Sequence, residues 1–221
     1  VDCVCLILLW MICCIPLAFG IYVAYVSKAI ILALPCIVLA VPAGIATTAL
    51  YYAVNKVIRH SRGYLWSSFW HSFKTNMKQG AFVTLVVAAA VVLVGLDGYI
   101  MYQFAKAGEK SGVLYVVFFV LMLVVIAWAI YVFPYMARFE NSTKLILNSA
   151  LMAIGNLPKT FMALMFFLAC CIGTYLLPVV AIISPALGML LLNYILEGVF
   201  ERYMSDEDRE AENERNQEFY N

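Results

Sequence analysis

Few residues in this sequence could do chemistry, and they are widely spaced. Asp97, in GLDGYIMY, and Glu197, in LLNYILEGVF, are acids set inside apolar runs. Asn193 precedes Glu197 by one helical turn, so a helix would put both on one face. An acid within a membrane span is costly and usually faces a bundle interior or a cavity. Asp97, Asn193 and Glu197 are therefore candidates for solute contact or ion coupling. The alternative is a structural role near the interface, because Asp97 lies close to a charged loop and Glu197 close to Glu201 and Arg202. No basic residue lies mid-span to pair with either acid. The histidines, His60 and His71, fall in a basic, aromatic connection between spans. The seven cysteines all sit in apolar runs without C-x-x-C spacing, and read as small hydrophobes. There is no G-x-x-x-x-G-K-[ST] loop and no H-E-x-x-H. The expectation is a non-enzymatic protein with no metal site and no cofactor.

The elements around these residues are set by composition. Apolar residues make up 65% of the chain and charged residues 12%. A soluble fold of this length has no interior large enough to hide so much apolar surface, so part of the solvent must be lipid. A spanning helix needs about 20 mostly apolar residues, and about six such segments are present. They run roughly over Val4–Val26, Ala29–Val57, Ala81–Phe104, Val113–Met136, Thr160–Leu177 and Val180–Phe200. The expected fold is all-α: a polytopic transmembrane helix bundle, with residues 1–203 as one domain and 204–221 as an acidic polar tail. The chain opens at Val1 rather than at a methionine, so an upstream segment is expected.

Lys56, Arg59, Arg62, Lys74 and Lys78 cluster in one connection, which places that side in the cytoplasm. Counting spans outward from it puts both termini inside, in a multi-pass protein of the plasma membrane. Nucleic acid is not an expected partner, because no soluble basic domain accompanies the cluster; the lipid bilayer is. Two cytoplasmic segments look amphipathic rather than spanning, over 64–77 and 140–156. In the first, Phe69 and Phe73 fall on one face with Trp66 and Trp70 beside them, while Ser67, Ser68, His71, Lys74 and Thr75 fill the other. That pattern suits an interfacial helix, and equally a helix packed on the rim of the bundle. Asn141 or Ser142 could cap the second segment, and Gly155-Asn156 could end it ahead of Pro158. The small-residue run Ala88-Ala89-Ala90, with Gly95, suggests close helix packing.

Prolines supply the remaining pattern. LPCIVLAVPA, from Leu34, returns as LPVVAIISPA from Leu177. Pro35 thus matches Pro178, and Pro42 matches Pro185. One reading is two ordinary Pro-kinked span ends. The other is a parallel repeat that breaks a helix near the outer leaflet in each half, which would make these four prolines hinges around a transport cavity. Pro35 and Pro42 also permit a re-entrant segment in place of the second span.

The stretch PAGIATTALYYAVNKVIR, the aromatic segment around Phe69, Trp70, Phe73 and Asn76, and the block around Pro134, Arg138, Phe139 and Pro158 resemble the YesL-like family of bacterial integral membrane proteins. Leu8, Leu9 and Trp10, with Ile15-Pro16, resemble that family's first span. Its members form a domain of unknown function, and their genes tend to accompany carbohydrate ABC importers in Gram-positive bacteria. The resemblance implies an accessory subunit of such an importer, with its permease or ATPase as partner. The alternative carried by the prolines and buried acids is an autonomous small-molecule transporter or channel.

Overall fold

The computed structural model describes residues 2–27, 30–58, 65–139, 144–176, 180–204 and residue 210. Among them the chain is entirely helical. The helices are α1 (Asp2–Ser27), α2 (Ala33–Leu39), α3 (Val41–Ile58), α4 (Leu65–Thr75), α5 (Met77–Lys106), α6 (Tyr115–Arg138), α7 (Leu145–Gly155), α8 (Leu157–Leu176) and α9 (Val180–Tyr203). Short 3₁₀ turns at Ile30–Leu32 and Lys110–Leu114 join α1 to α2 and α5 to α6. Four of the described helices are long and apolar enough to cross a membrane: Leu6–Ser27, Met77–Lys106, Tyr115–Arg138 and Leu157–Leu176. The pair α2 and α3 makes a fifth if its two pieces form one span. The expected sixth, α9, is a 24-residue helix packed against α1, α3, α6 and α8. The expected capping residues Asn141 and Ser142, Arg59 and Arg62 of the basic connection and nearly all of the acidic tail lie outside the described residues.

The α2–α3 pair bends by 41° at Ala40. Pro42 has no N–H to give the Val38 carbonyl, so the ladder is interrupted there. Ala40 compensates: its N–H faces the carbonyls of Cys36 and Val38, and its own carbonyl receives Gly44 N–H at 3.0 Å. Pro42 then sits in the first turn of α3, where a missing donor costs nothing. The pair is thus a candidate fifth span interrupted at Ala40. The proposed duplicate differs. α9 runs as helix through position 185 without a break, and Pro178 lies outside the described residues.

The turn after α5 shows how local sequence ends a helix. Gly108 takes φ +81°. Its N–H bonds the Ala105 carbonyl at 3.1 Å, and Glu109 N–H bonds the Phe104 carbonyl at 3.1 Å. This double closure is the Schellman arrangement, which needs a left-handed residue and so favours glycine. At the other polar corner α7 stops at Gly155, and α8 starts at once with Pro158 in its first turn, as Gly155-Asn156-Pro158 suggested.

One apolar core draws on α1 and on α3 through α9, with Leu50, Phe69, Tyr131, Met136, Leu196 and Phe200 among its most buried members. Its tightest point is a crossing of α3 and α5. A Cβ added to Gly44 would meet the Thr84 side chain, only 2.7 Å from its Cβ. One at Gly80 would lie 3.3 Å from Ile45 Cγ1. The close approach therefore falls at Gly44 and Gly80, and at Gly95, where a Cβ would lie 3.3 Å from Met122 Cε, rather than at the alanine run, whose three members are only half-buried. Small residues allow helix backbones to approach closely in lipid.

Each of the two short helices buries one or two serines. In α7, Ser149 is buried while Leu147, Leu151 and Ile154 are exposed. In α4, Phe69 is fully buried and Trp66 is exposed, as the periodicity suggests. Ser68, expected on the outer polar face, is instead buried together with Ser72. Their small side chains let α4 lie close on α3, and Asn76 Nδ2 donates to Ser72 Oγ at 3.1 Å inside the bundle. Trp70 and Phe73 are half-buried, their rings 5.5 Å apart.

Candidate functional site

Three features gather the polar and apolar groups of the bundle interior. The first is an ion pair. Arg138, the last residue of α6, is carried into the bundle by the buried helix end Tyr135–Arg138. Its Nη1 donates to Glu197 Oε2 on α9 at 2.8 Å, with side-chain exposures of 3% and 24%. The guanidinium also lies over the Phe200 ring at 5.8 Å, and Phe200 packs edge-on against Tyr135 and Phe139. Charge-assisted hydrogen bonds of this kind are short and strong, and burial weakens screening by salt. Glu197 thus meets a cation at the end of a different helix.

Asn193 lies one turn before Glu197 on α9, 2% exposed, and its Nδ2 has no hydrogen-bond partner among the described residues. The structure thus keeps Asn193 and Glu197 together inside the bundle. Asp97 is elsewhere: it is exposed on α5. Lys78 and Asp97 are separated by about 28 Å along the helix, close to the ~30 Å thickness of a hydrocarbon core.

The second feature is a chain of polar contacts that ties α6 to α7 and α8. Trp128 Nε1 donates to Ser149 Oγ at 3.0 Å, and Asn148 Nδ2 to Tyr135 OH at 3.2 Å. Thr160 Oγ1 lies 2.9 Å from Tyr131 OH and 2.7 Å from the Ala153 carbonyl, so one hydroxyl joins three helices. In lipid such groups must find partners within the protein.

The third feature is a partly open cavity of about 720 Å³. α1 contributes Trp10, α3 Thr47 and Tyr51, α6 Phe133, α8 Phe166, Phe167, Cys170 and Cys171, and α9 Gly188, Met189 and Leu192. Neither Pro35 nor Pro42 lines it, nor do Asp97, Asn193 or Glu197. The Pro185 side chain and Pro178 lie outside the described residues. Trp10 Nε1 donates to Thr47 Oγ1 at 3.0 Å, and Thr47 donates to the Ala43 carbonyl at 2.7 Å. These two polar groups satisfy each other and staple α1 to α3 along the cavity wall. Trp10, Thr47 and Tyr51 were visible in the sequence only as motif residues. Aromatic and aliphatic residues saturate the chain, so nothing in their type singles out a cavity wall. Among the described residues, no three His, Cys, Asp or Glu side chains come together as a metal site.

Residues 3–98 match the model of a family described as a protein of unknown function, DUF624. The chain is similar to that family over α1 to most of α5, a stretch that includes Trp10, Thr47, Tyr51 and the Gly44–Thr84 crossing; Arg138 and Glu197 lie beyond it. No curated protein and no solved structure matches the chain.

Proposed function

We propose that this chain is a non-enzymatic, multi-pass protein of the bacterial plasma membrane that works as an associated subunit of a larger transport assembly. The residues shared in type with the YesL-like family, whose genes tend to accompany carbohydrate ABC importers, point to such an importer, with its permease or ATPase as the bound partner. In this reading α9 is the sixth span and both termini face the cytoplasm.

The observation that carries the association is the α5–α6 hairpin. α5 has 30 residues, about 45 Å of helix, against a hydrocarbon core of ~30 Å. Beyond Asp97 it continues to Lys106, and this projecting end still exposes Tyr99, Ile100, Tyr102 and Phe104, with Val113 (71% exposed) and Leu114 across the turn. Tyr102 packs edge-on against Tyr115, and Lys106 lies over its ring. The projection is thus ordered by its own contacts and remains apolar outside. A contiguous apolar surface at or past the lipid boundary suits contact with another protein. The autonomous-transporter reading is less well supported for sugars: the interior cavity is walled by aromatic and aliphatic groups, whereas a polyol needs hydroxyl partners throughout its path.

The test is a mild-detergent purification with identification of stoichiometric partners, in wild type and in Tyr102→Ser/Phe104→Ser/Leu114→Ser. Recovery of a carbohydrate permease, or of its ATPase held through the permease, with the wild type, and its loss with the triple variant, is expected. Sugar flux through liposomes holding this chain alone would overturn the reading, as would a wild-type chain that purifies without either subunit.

A further inference from the structure

The cavity between α1, α3, α6, α8 and α9 carries an inference of its own, independent of the association reading. Its walls on α6 run from Ile126 to Phe133, about 7–18 Å along the helix from Arg138. A volume of about 720 Å³ falls within the range that holds one small organic ligand. An apolar void of this kind does not hold water well, because a buried water needs several polar partners.

Four polar side chains line it, Trp10, Thr47, Tyr51 and Thr174, and Thr174 has a partner of its own. Tyr51 is 5% exposed and lines the cavity. Trp10 and Thr47 are already joined to each other and to the Ala43 carbonyl. The Tyr51 hydroxyl has no hydrogen-bond partner among the described residues. A Tyr hydroxyl at an apolar surface normally finds a partner. Around it stand Trp10, Phe133, Phe166 and Phe167, with the sulfurs of Cys170, Cys171 and Met189. This is a surface for a hydrocarbon body with one oxygen, not for a charged headgroup.

We propose that this cavity binds an uncharged, single-chain lipid taken from the surrounding bilayer, whose one oxygen function hydrogen-bonds the Tyr51 hydroxyl. The chain lies against the aromatic and sulfur-bearing walls of α6, α8 and α9. The site needs neither the prolines nor the acids, which line no part of it among the described residues.

Gly188 gives a clean way to close the site. A Cβ there meets only Cys170 Sγ, at 3.9 Å, so a larger side chain projects into the cavity without striking backbone. The experiment measures thermal unfolding of the purified full chain in nanodiscs, titrated with 1-hexadecanol or with hexadecane, for wild type, Tyr51→Phe and Gly188→Phe. Both probes should stabilise the wild type, with 1-hexadecanol binding more tightly. Tyr51→Phe should weaken 1-hexadecanol about five- to tenfold and leave hexadecane unchanged. Gly188→Phe should abolish both responses; should that variant fail to fold, Ala129→Leu reads the same loss. A stabilisation that persists with the cavity filled reports partition into the bilayer and overturns the proposal. So does an equal loss of both probes in Tyr51→Phe, or a wild type that neither probe stabilises.

Discussion

Gly44→Ala tests the crossing that sets the distance between the α3 and α5 walls of the bundle. The added methyl would stand 2.7 Å from Thr84 Cβ and 2.5 Å from its Cγ2. Carbon atoms rest at about 3.5–4.0 Å, so the helices must separate by roughly 1 Å or Thr84 must move. Thr84 is held: it is buried, and its hydroxyl donates to the Gly80 carbonyl at 2.6 Å. Forcing a methyl into packing of this kind costs about 1–3 kcal/mol. For a chain of this size about 2 kcal/mol corresponds to a fall of roughly 4–8 °C in Tm. The geometry also specifies the suppressor. Thr84→Ala removes Oγ1 and Cγ2 but leaves the Cβ in conflict, so it rescues only part of the loss. Thr84→Gly removes the Cβ as well, and the double variant Gly44→Ala/Thr84→Gly should be no less stable than Thr84→Gly alone. The assay is thermal melting of the detergent-solubilised chain followed by size-exclusion chromatography, run as a double-mutant cycle. A Gly44→Ala variant within 1 °C of wild type would refute the reasoning, and so would a rescue by Thr84→Ala as complete as that by Thr84→Gly.

Glu197→Leu removes the carboxylate to which buried Arg138 donates, and is expected to cost about 3–5 kcal/mol; adding Arg138→Met should recover most of that loss in the same melting assay. Arg138→Met alone should cost less than Glu197→Leu alone, because the remaining carboxylate is 24% exposed and the guanidinium 3%. Gly108→Ala forces a side chain into φ +81° and should lower stability by about 1 kcal/mol, a loss that Gly108→Asn reduces. Asp97→Asn should change Tm by no more than the ~0.5 kcal/mol usual for an exposed position, since Asp97 is exposed; a large change would place it in the interior.

Much of the fold was legible because it rests on local chemistry. Apolar runs of spanning length, the Pro42 interruption, the Gly155-Asn156-Pro158 corner and the inward position of Phe69 all follow from residues within a turn or two of one another. Face assignment in α4 held at Ser67, His71, Lys74 and Thr75, which are exposed, and failed at Ser68, whose small side chain can be buried. The candidate site was legible only in part. Glu197 and Asn193 stand out as polar groups in an apolar helix, but their surroundings depend on Arg138, which sequence distance separates from them by two whole helices and a connection. The Trp10–Thr47 bond and the open Tyr51 hydroxyl have no signature at all in a chain so rich in aromatic residues.

Taken alone, the order of amino acids determined the solvent, the helical state and roughly where each helix begins and ends, because burial in lipid and backbone hydrogen bonding act along a single segment. Which glycine meets which threonine, which arginine neutralises which glutamate and where a cavity remains between helices were decided only by tertiary packing. Those are properties of surfaces contributed by separate segments, and van der Waals fit and charge pairing select among arrangements that the same apolar sequences would otherwise satisfy equally well.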